Sequence, residues 1–376
     1  MVKQGHDVTM LTSLPDYSSG KVPRDYKFFK NREEYINGVH VLRVPIIARR
    51  TGVIWRALNY LSFMFTSSIK TRFIRTDIDV IFSYQTSPIM MAHAAVKMKK
   101  RSKRKLVLYC LDLWPESLKA WGVKETSLLF RIMKRYSSWI YGKCDIVAIS
   151  SKPFKKYLVE NCNVEASRIK YLPQHADEIA RSIGSGNKDC VNIAFGGNIG
   201  KVQDVECIIR AVYRLRDIEG YTVHIYGNGS RYSECCDLAK ELGVENKVIF
   251  HGRVSKKQLL AEYRDMDVFL LTLKQAGFIG MTAPTKLQEY MSMGKPIIAA
   301  INGAAADIIS EARCGLVCNA SNDELLARCI EEYINNPDKY SDLGDNGYRF
   351  YRQNFTRMIF MERLMQLLST CVINDV

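Results

Sequence analysis

Two hydrophobic periods alternate along this chain. Short aliphatic runs bounded by turn residues read as buried strands. They fall at His6–Leu11, Val39–Val44, Val80–Ser83, Lys105–Leu111, Ile146–Ile149 and Ile169–Leu172. A second series follows at Val191–Phe195, Thr222–Tyr226, Val248–His251, Val268–Leu271, Pro296–Ala300 and Gly315–Val317. Between many of them apolar residues recur every three or four positions. That spacing predicts helices over Ser127–Tyr141, Lys152–Asn161, Val205–Ile218, Tyr232–Leu242, Lys256–Asp265, Lys286–Met293 and Asp323–Asn335. Repeated strand–helix alternation implies parallel sheets covered by helices, the α/β class. Two series predict two doubly wound domains, joined near Ala176–Lys188, where ARSIGSGNKDC is rich in Gly and Ser. The expected boundaries are 1–178 and 179–349, followed by a tail, 350–376. The last stretch, Tyr340–Leu368, reads as helix.

Composition agrees with this division. A chain of 376 residues suits two domains of roughly 100–200 residues. Hydrophobic residues at 47% and charged residues at 25% exclude long disorder, collagen-like repeats and coiled coils. The longest uncharged run, Val80–Val96, contains Gln85 and Pro88 and is shorter than the roughly 20 apolar residues of a spanning helix. The opening MVKQGHDVTML is charged from the start and does not read as a secretion signal. Without such a signal, 11 irregularly spaced cysteines read as free thiols of a reducing cytoplasm. The C-x3-C pair Cys314 and Cys318 lacks the second pair or partner histidines of a zinc site, so no metal is expected.

Charge changes the picture more. Net charge is +15, yet residues 1–180 hold 31 Lys and Arg against 15 Asp and Glu, and the remainder 23 against 24. The whole excess lies in the first half, so one domain is expected to meet something anionic. Two segments concentrate it. Gly52–Arg75 has helical apolar spacing with Arg56, Lys70, Arg72 and Arg75 at its ends, and Met90–Lys105 carries seven cations from Lys97 onward. An amphipathic helix with a basic fringe suits an anionic membrane surface. A solvated helix end beside a basic loop is the plainer alternative. No zinc finger, RNP sequence or basic zipper accompanies the charge, so nucleic acid is not expected.

Several loops at predicted strand ends carry candidate chemistry. Phe195-Gly196-Gly197-Asn198-Ile199-Gly200-Lys201 lies between a strand and a helix, where glycines admit a close ligand and a helix N-terminus favours phosphate. Its spacing is neither a dinucleotide fingerprint nor a P-loop, and a structural turn is the alternative. Tyr226-Gly227-Asn228-Gly229 ends another strand, the side on which ligands sit in open α/β sheets. The segment from Gly280 to Pro296 starts a helix at Pro284 and Thr285. Lys286 and the free first-turn N–H groups can hold a diphosphate, and Glu289 can accept hydrogen bonds from two ribose hydroxyls. In the first half, Asp112-Leu-Trp-Pro-Glu116-Ser ends a strand. It reads equally as an acceptor-side carboxylate pair or as a Trp-Pro core anchor. Asp265-Met266-Asp267 sits before a strand, where Asp is an ordinary turn residue. His175 and His224 stand alone in sequence and read as structural.

Together these segments resemble the retaining glycosyltransferases of GT-B fold, family 4. DLWPESL at 112–118, FGGNIGKVQDVE at 195–206 and PTKLQEYMSMGKPIIA at 284–299 look like bacterial enzymes building capsule, O-antigen or exopolysaccharide units, a fucosamine-type transferase among them. The resemblance implies two Rossmann-like domains facing a cleft, with a C-terminal helix crossing back to the first. It implies sugar transfer from a nucleotide donor, a UDP-sugar, to a polyprenyl-diphosphate-linked saccharide. The enzyme would be peripheral on the inner face of the cell membrane and would need no metal or other cofactor. Glu289 matches the second glutamate of the family's E-x7-E motif, which holds the donor ribose, and Met281 stands at the first. Thr285 and Lys286 would lie by the diphosphate, facing Gly196, Gly197 and Asn198. Gly227, Asn228 and Arg253 would lie near the base or diphosphate. Asn198 and Gln203 stand where the family has Arg and Lys, leaving Lys201 and Lys286 as candidate cations. The catalytic set expected is Glu289, Lys286, Asp112 and Glu116.

The N-terminus modifies that expectation. Gln4-Gly5-His6-Asp7 reads as a helix end capped by Gly and followed at once by a strand. A doubly wound domain opens with a strand and a glycine loop, so about 25 residues of a first βα unit are expected to be absent. The alternative function is therefore a truncated, inactive chain that only binds a nucleotide sugar or a partner. A nucleotide-sugar epimerase of similar fold is a third reading.

Overall fold

The computed structural model describes residues 1–16, 20–27, 30–50, 52–179, 181, 190–274 and 282–373. The strands are β1 (Thr9–Ser13), β2 (Glu33–Ile36), β3 (Val39–Val44), β4 (Ile81–Gln85), β5 (Leu106–Cys110), β6 (Ile146–Ile149), β7 (Ile169–Tyr171), β8 (Val191–Gly196), β9 (Tyr221–Tyr226), β10 (Val248–Gly252), β11 (Val268–Thr272), β12 (Ile297–Ala300) and β13 (Gly315–Cys318). The helices are α1 (Val53–Lys70), α2 (His93–Ser102), α3 (Leu128–Lys143), α4 (Phe154–Cys162), α5 (Val205–Arg214), α6 (Tyr232–Glu241), α7 (Lys256–Glu262), α8 (Thr285–Ser292), α9 (Ala304–Ala312), α10 (Asp323–Asn335), α11 (Leu343–Asn354) and α12 (Arg357–Ile373). The chain divides into two compact units. One comprises Met1–Ile149, Lys156–Lys170 and Leu367–Val376, the other Ser150–Lys155 and Tyr171–Gln366. Most of the segment expected to join them, residues 182–188, lies outside the described residues.

The second unit holds a six-stranded sheet in the order β10-β9-β8-β11-β12-β13, every neighbouring pair parallel. Counted from β8, that is the doubly wound order 3-2-1-4-5-6. Successive side chains of β8 enter opposite layers: Ile193 and Phe195 join the core under α5, α6 and α10, while Ala194 joins the core under α8, α9 and α11. Burying each large aliphatic or aromatic side chain contributes about 1.5–3 kcal/mol, so both faces of the sheet are held by their helices. The strand order reverses between β8 and β11. No crossover covers the crevice there, and a ligand can enter at the carboxyl ends of the strands.

The first unit departs from the single six-stranded series expected. Its described strands form two sheets, β1-β3-β2 and β4-β5-β6-β7. β1 runs parallel to β3, and β4, β5 and β6 run parallel in turn. The additional strand, β2, is antiparallel to β3. Its sequence, Glu-Glu-Tyr-Ile, lacks the apolar run of a buried strand because it is an edge held by polar cross-strand pairs. His40 Nε2 lies 2.7 Å from Glu33, Arg43 Nε donates to Glu34 at 3.1 Å, and the Tyr35 and His40 rings stack at 4.8 Å. The helix expected across Tyr340–Leu368 is also two helices, α11 and α12. Buried Phe355 breaks it, and its freed carbonyl accepts the Ala176 N–H at 3.1 Å. Thr356 Oγ1 then accepts the Ile359 N–H at 3.3 Å and restarts the helix.

Candidate functional site

Three loops at the carboxyl ends of β8, β9 and β10 are laced by backbone hydrogen bonds. The Gly197 N–H donates to the Tyr226 carbonyl at 2.9 Å, Gly227 to Gly252 at 2.8 Å and Ile199 to Asn228 at 3.0 Å. So close an approach requires glycine. Gly227 adopts φ +131°, and a Cβ there would lie 1.8 Å from the Gly197 oxygen. Gly197 adopts φ +140°. We expect Gly227→Ala to destabilise the protein by about 2–4 kcal/mol, because backbone rather than a side-chain end must yield. Thermal denaturation of that variant beside the parent checks this; equal melting temperatures would contradict it.

The loops enclose a pocket of about 340 Å³. Gly197 and Asn198 form one wall, Tyr226, Gly227 and Asn228 a second, and Arg253, Val254 and Leu259 a third. Asn198 Nδ2 donates to Gln203 Oε1 at 3.2 Å, so the two residues standing in place of cations brace each other. Lys201 is exposed in the turn beyond Gly200 and does not line this pocket among the described residues.

Helix α8 is anchored against the same strand end by a residue that sequence reasoning missed. Tyr290 is fully buried and stacks on Phe269 at 4.2 Å, with its hydroxyl accepting the Gly196 N–H at 3.0 Å. A Cβ at Gly196 would meet the hydroxyl of Tyr263, the residue just after α7, at 1.5 Å, so this glycine makes room for that buried ring. Tyr290 directly follows Glu289, yet its pattern is that of any helical core aromatic, and no sequence signal marks its hydroxyl. The N-cap, Pro284, supplies no capping side chain; the Leu287 N–H turns back to the Pro284 carbonyl at 2.9 Å, so of the first-turn N–H groups those of Thr285 and Lys286 are the ones left to a ligand. Thr285 opens that turn and is exposed.

Lys286, one residue further, is the electrostatic centre of the site. Its Nζ is buried and has no hydrogen-bond partner among the described residues, lies 4.3 Å from the Phe195 ring centroid and would stand 2.9 Å from a Cβ at Gly197. Burial pushes its ammonium down to about 8, against a smaller opposing pull from Glu289. Burial likewise raises the Glu289 carboxyl above its ordinary range; Lys256 and Lys286 oppose this and Asp177 adds to it. A desolvated cation beside a glycine loop and a helix N-terminus is an anion site. A carboxylate one turn along can accept hydroxyl hydrogen bonds.

The structure does not gather every expected residue here. Asp112 and Glu116 belong to the first unit, at the end of β5. Burial raises Asp112, against a hydrogen bond from Ser87. Glu116 is buried and pairs with Lys119 Nζ at 2.7 Å. Trp114 Nε1 donates to Ser87 Oγ at 2.9 Å, so the Trp-Pro corner is packed as well as carboxylate-bearing. Met281 lies outside the described residues. Asp267, expected as an ordinary turn residue, accepts the Asn192 N–H at 2.8 Å and so ties the start of β11 to β8. His224 is not alone. Parallel pairing of β9 with β10 sets its Nδ1 3.0 Å from His251 Nε2, a partner whose distance in sequence hid it.

Comparison with known proteins follows the same division. The family described as Glycosyltransferase Family 4 matches residues 1–178, and that described as Glycosyl transferases group 1 matches residues 177–350. "Probable glycosyltransferase WbjE" of Pseudomonas aeruginosa is 25% identical over 319 residues, covering 81% of this chain and 77% of that protein. "Uncharacterized glycosyltransferase MJ1607" of Methanocaldococcus jannaschii is 24% identical over 375 residues, covering 94% and 85%. Among solved structures, sucrose-phosphate synthase of Thermosynechococcus elongatus superposes with a TM-score of 0.73 at 15% identity, covering 98% of this chain and 90% of its own. Anabaena HepE in complex with UDP superposes with a TM-score of 0.71 at 15% identity, covering 96% and 100%. The two family matches run on from each other across residues 1–350, and the chain is a glycosyltransferase of GT-B fold, with a Glycosyltransferase Family 4 domain first and a Glycosyl transferases group 1 domain second.

Proposed function

We propose that this glycosyltransferase takes its sugar from a UDP-sugar and passes it, with retention at the anomeric carbon, to a lipid-linked saccharide. The product would serve capsule, O-antigen or exopolysaccharide synthesis at the inner face of the cell membrane. The observation that carries the donor side is the buried Lys286 ammonium between the Gly197 loop and the first turn of α8, unpartnered among the described residues. A buried cation without a counter-ion is costly, and a diphosphate would supply the missing charge. HepE was solved with UDP, which supports that nucleotide as the donor carrier.

In this reading the bond between the anomeric carbon and the β-phosphate oxygen breaks, and its electron pair leaves with the diphosphate. Lys286 and the α8 amides stabilise that developing charge, the term that usually dominates such steps. Thr285 and the Gly196–Asn198 loop line the diphosphate, and Glu289 accepts hydrogen bonds from the ribose hydroxyls. Gly227, Asn228 and Arg253 border the base. The acceptor hydroxyl oxygen forms the new bond to the same carbon, and its proton passes to the departing β-phosphate oxygen. On the first unit, Asp112 is assigned as the acceptor-side carboxylate, and Glu116 pairs with Lys119. No metal is assigned a step.

Titration gives the first test. Glu289 must be ionised to accept, and its raised carboxyl loses charge at a higher pH than an ordinary glutamate does. Lys286 must be charged, and it loses its proton as pH rises through about 8. Donor affinity is therefore expected to peak near neutrality and fall on both sides, by up to about tenfold per pH unit on the alkaline limb. Calorimetric titration with a panel of UDP- and GDP-sugars from pH 5 to 9 checks this. A flat alkaline limb would remove Lys286 from the diphosphate, and saturation by GDP-sugars alone would overturn the choice of nucleotide.

A further inference from the structure

Helix α1 turns its apolar face outward. Its buried residues are Asn59, Ser67 and Ser68, and Thr71, just past its end, is buried too. On that face Asn59, Ser67 and Thr71 are hydrogen-bonded locally, while Ser68 Oγ has no partner among the described residues. Thr71 Oγ1 donates to the Ser68 carbonyl at 2.8 Å, and Asn59 Nδ2 to the Ile47 carbonyl at 2.7 Å. The opposite face carries Ile54, Leu58, Leu61, Phe65 and Ile69, spaced three or four residues apart. Ile54 is 75% exposed, Phe65 60% and Ile69 56%. A surface helix ordinarily points such a stripe at the core. The neighbouring helix repeats the feature. The Tyr136 hydroxyl of α3 meets Met64 of α1 at 3.5 Å, and α3 leaves Leu128, Ile132 and Trp139 exposed. Cations fringe both ridges: Arg50 sits over the Trp55 ring at 4.6 Å, Lys70, Arg72 and Arg75 close the α1 end, and Arg131 and Arg135 lie on α3.

We propose that α1 lies in the headgroup layer of an anionic bilayer, with α3 beside it, and so docks the first unit on the membrane. The helix is amphipathic and short of a span, since among the described residues no helix is long and apolar enough to cross a membrane. An apolar ridge with a basic fringe matches an anionic lipid surface on both counts. A second copy of this chain would set like charges against each other along the fringe. The inference deepens the reading of a lipid-linked acceptor and rests on it for its purpose, though not for its geometry.

The test is co-sedimentation of the whole chain with vesicles of phosphatidylglycerol and phosphatidylcholine, beside vesicles of phosphatidylcholine alone. The triple variant Leu61→Ser, Phe65→Ser, Ile69→Ser changes exposed residues, and an unchanged melting temperature confirms its fold. We expect the parent to bind the anionic vesicles and the triple variant to bind them at least about tenfold more weakly. Absence of parent binding, or equal binding by both, overturns the proposal. So does a parent dimer in ultracentrifugation that the triple variant dissociates, which would give the face to a second copy. UDP-sugar binding is measured on the same samples. Vesicle binding by a chain that takes no UDP-sugar upholds the surface and counts against the donor reading, so the two failures are separable.

Discussion

Lys286→Met is expected to weaken UDP binding by about 100- to 1,000-fold and, in the same protein, to raise the melting temperature. The loss follows from removing charge-assisted hydrogen bonds to a desolvated diphosphate, worth together about 3–4 kcal/mol. The gain follows from the resting state. Lys286 Nζ is buried without a partner among the described residues, and its ammonium is pushed from 10.5 down to about 8. At neutral pH both folded and unfolded chains hold this proton, so the folded state carries the full cost of burying the charge, about 1–3 kcal/mol. As pH rises from about 8 toward 10.5, the folded lysine is deprotonated before the unfolded one, and that cost disappears. Methionine keeps the apolar stem against Phe195 and brings no charge. The melting-temperature difference between parent and variant should therefore be largest near neutrality and shrink above pH 8. A variant that melts lower and still binds UDP would show a structural lysine.

Glu289→Ala is expected to produce a loss of comparable size but different chemical signature. If Glu289 accepts from two ribose hydroxyls, its removal costs about 2–4 kcal/mol, or roughly 30- to 1,000-fold in affinity for UDP. Affinity for inorganic pyrophosphate, which has no ribose, should stay within about threefold of the parent. Lys286→Met should weaken both ligands. The crossed pattern separates the two roles, which a general collapse of α8 would not do, because Tyr290 and Phe269 hold that helix in both variants. Equal loss for UDP and pyrophosphate in Glu289→Ala would take the carboxylate off the ribose.

Much of this was legible in the sequence, and the exceptions have physical causes. The second unit could be read strand by strand because its sheet is parallel and covered on both faces, so every strand is an apolar run between helical periods. The first unit was harder. β2 is an exposed edge made of Glu, Tyr and Ile, stabilised by pairs to Arg43 and His40 that no local pattern announces. The break at Phe355 was hidden because a buried aromatic reads as helix on either side of it. Among site residues, the glycine loops and Lys286 were visible as types in place, since only glycine tolerates φ +131° with a carbonyl 1.8 Å from its missing Cβ. What sequence could not convey was state. That Lys286 is orphaned, that Tyr290 ties α8 to Gly196 and that His224 meets His251 are consequences of register and burial. The α1 segment was read as amphipathic, but only the structure shows that its polar face is the one turned inward.

The most direct test of the central claim is calorimetric titration of the intact chain with UDP at pH 7 and pH 9, for the parent and Lys286→Met. The account predicts saturable one-to-one binding by the parent at pH 7, weakened about tenfold at pH 9, and loss of binding by the variant at both. Parent binding that ignores both pH and the substitution would contradict it, as would no binding of UDP by the parent at all.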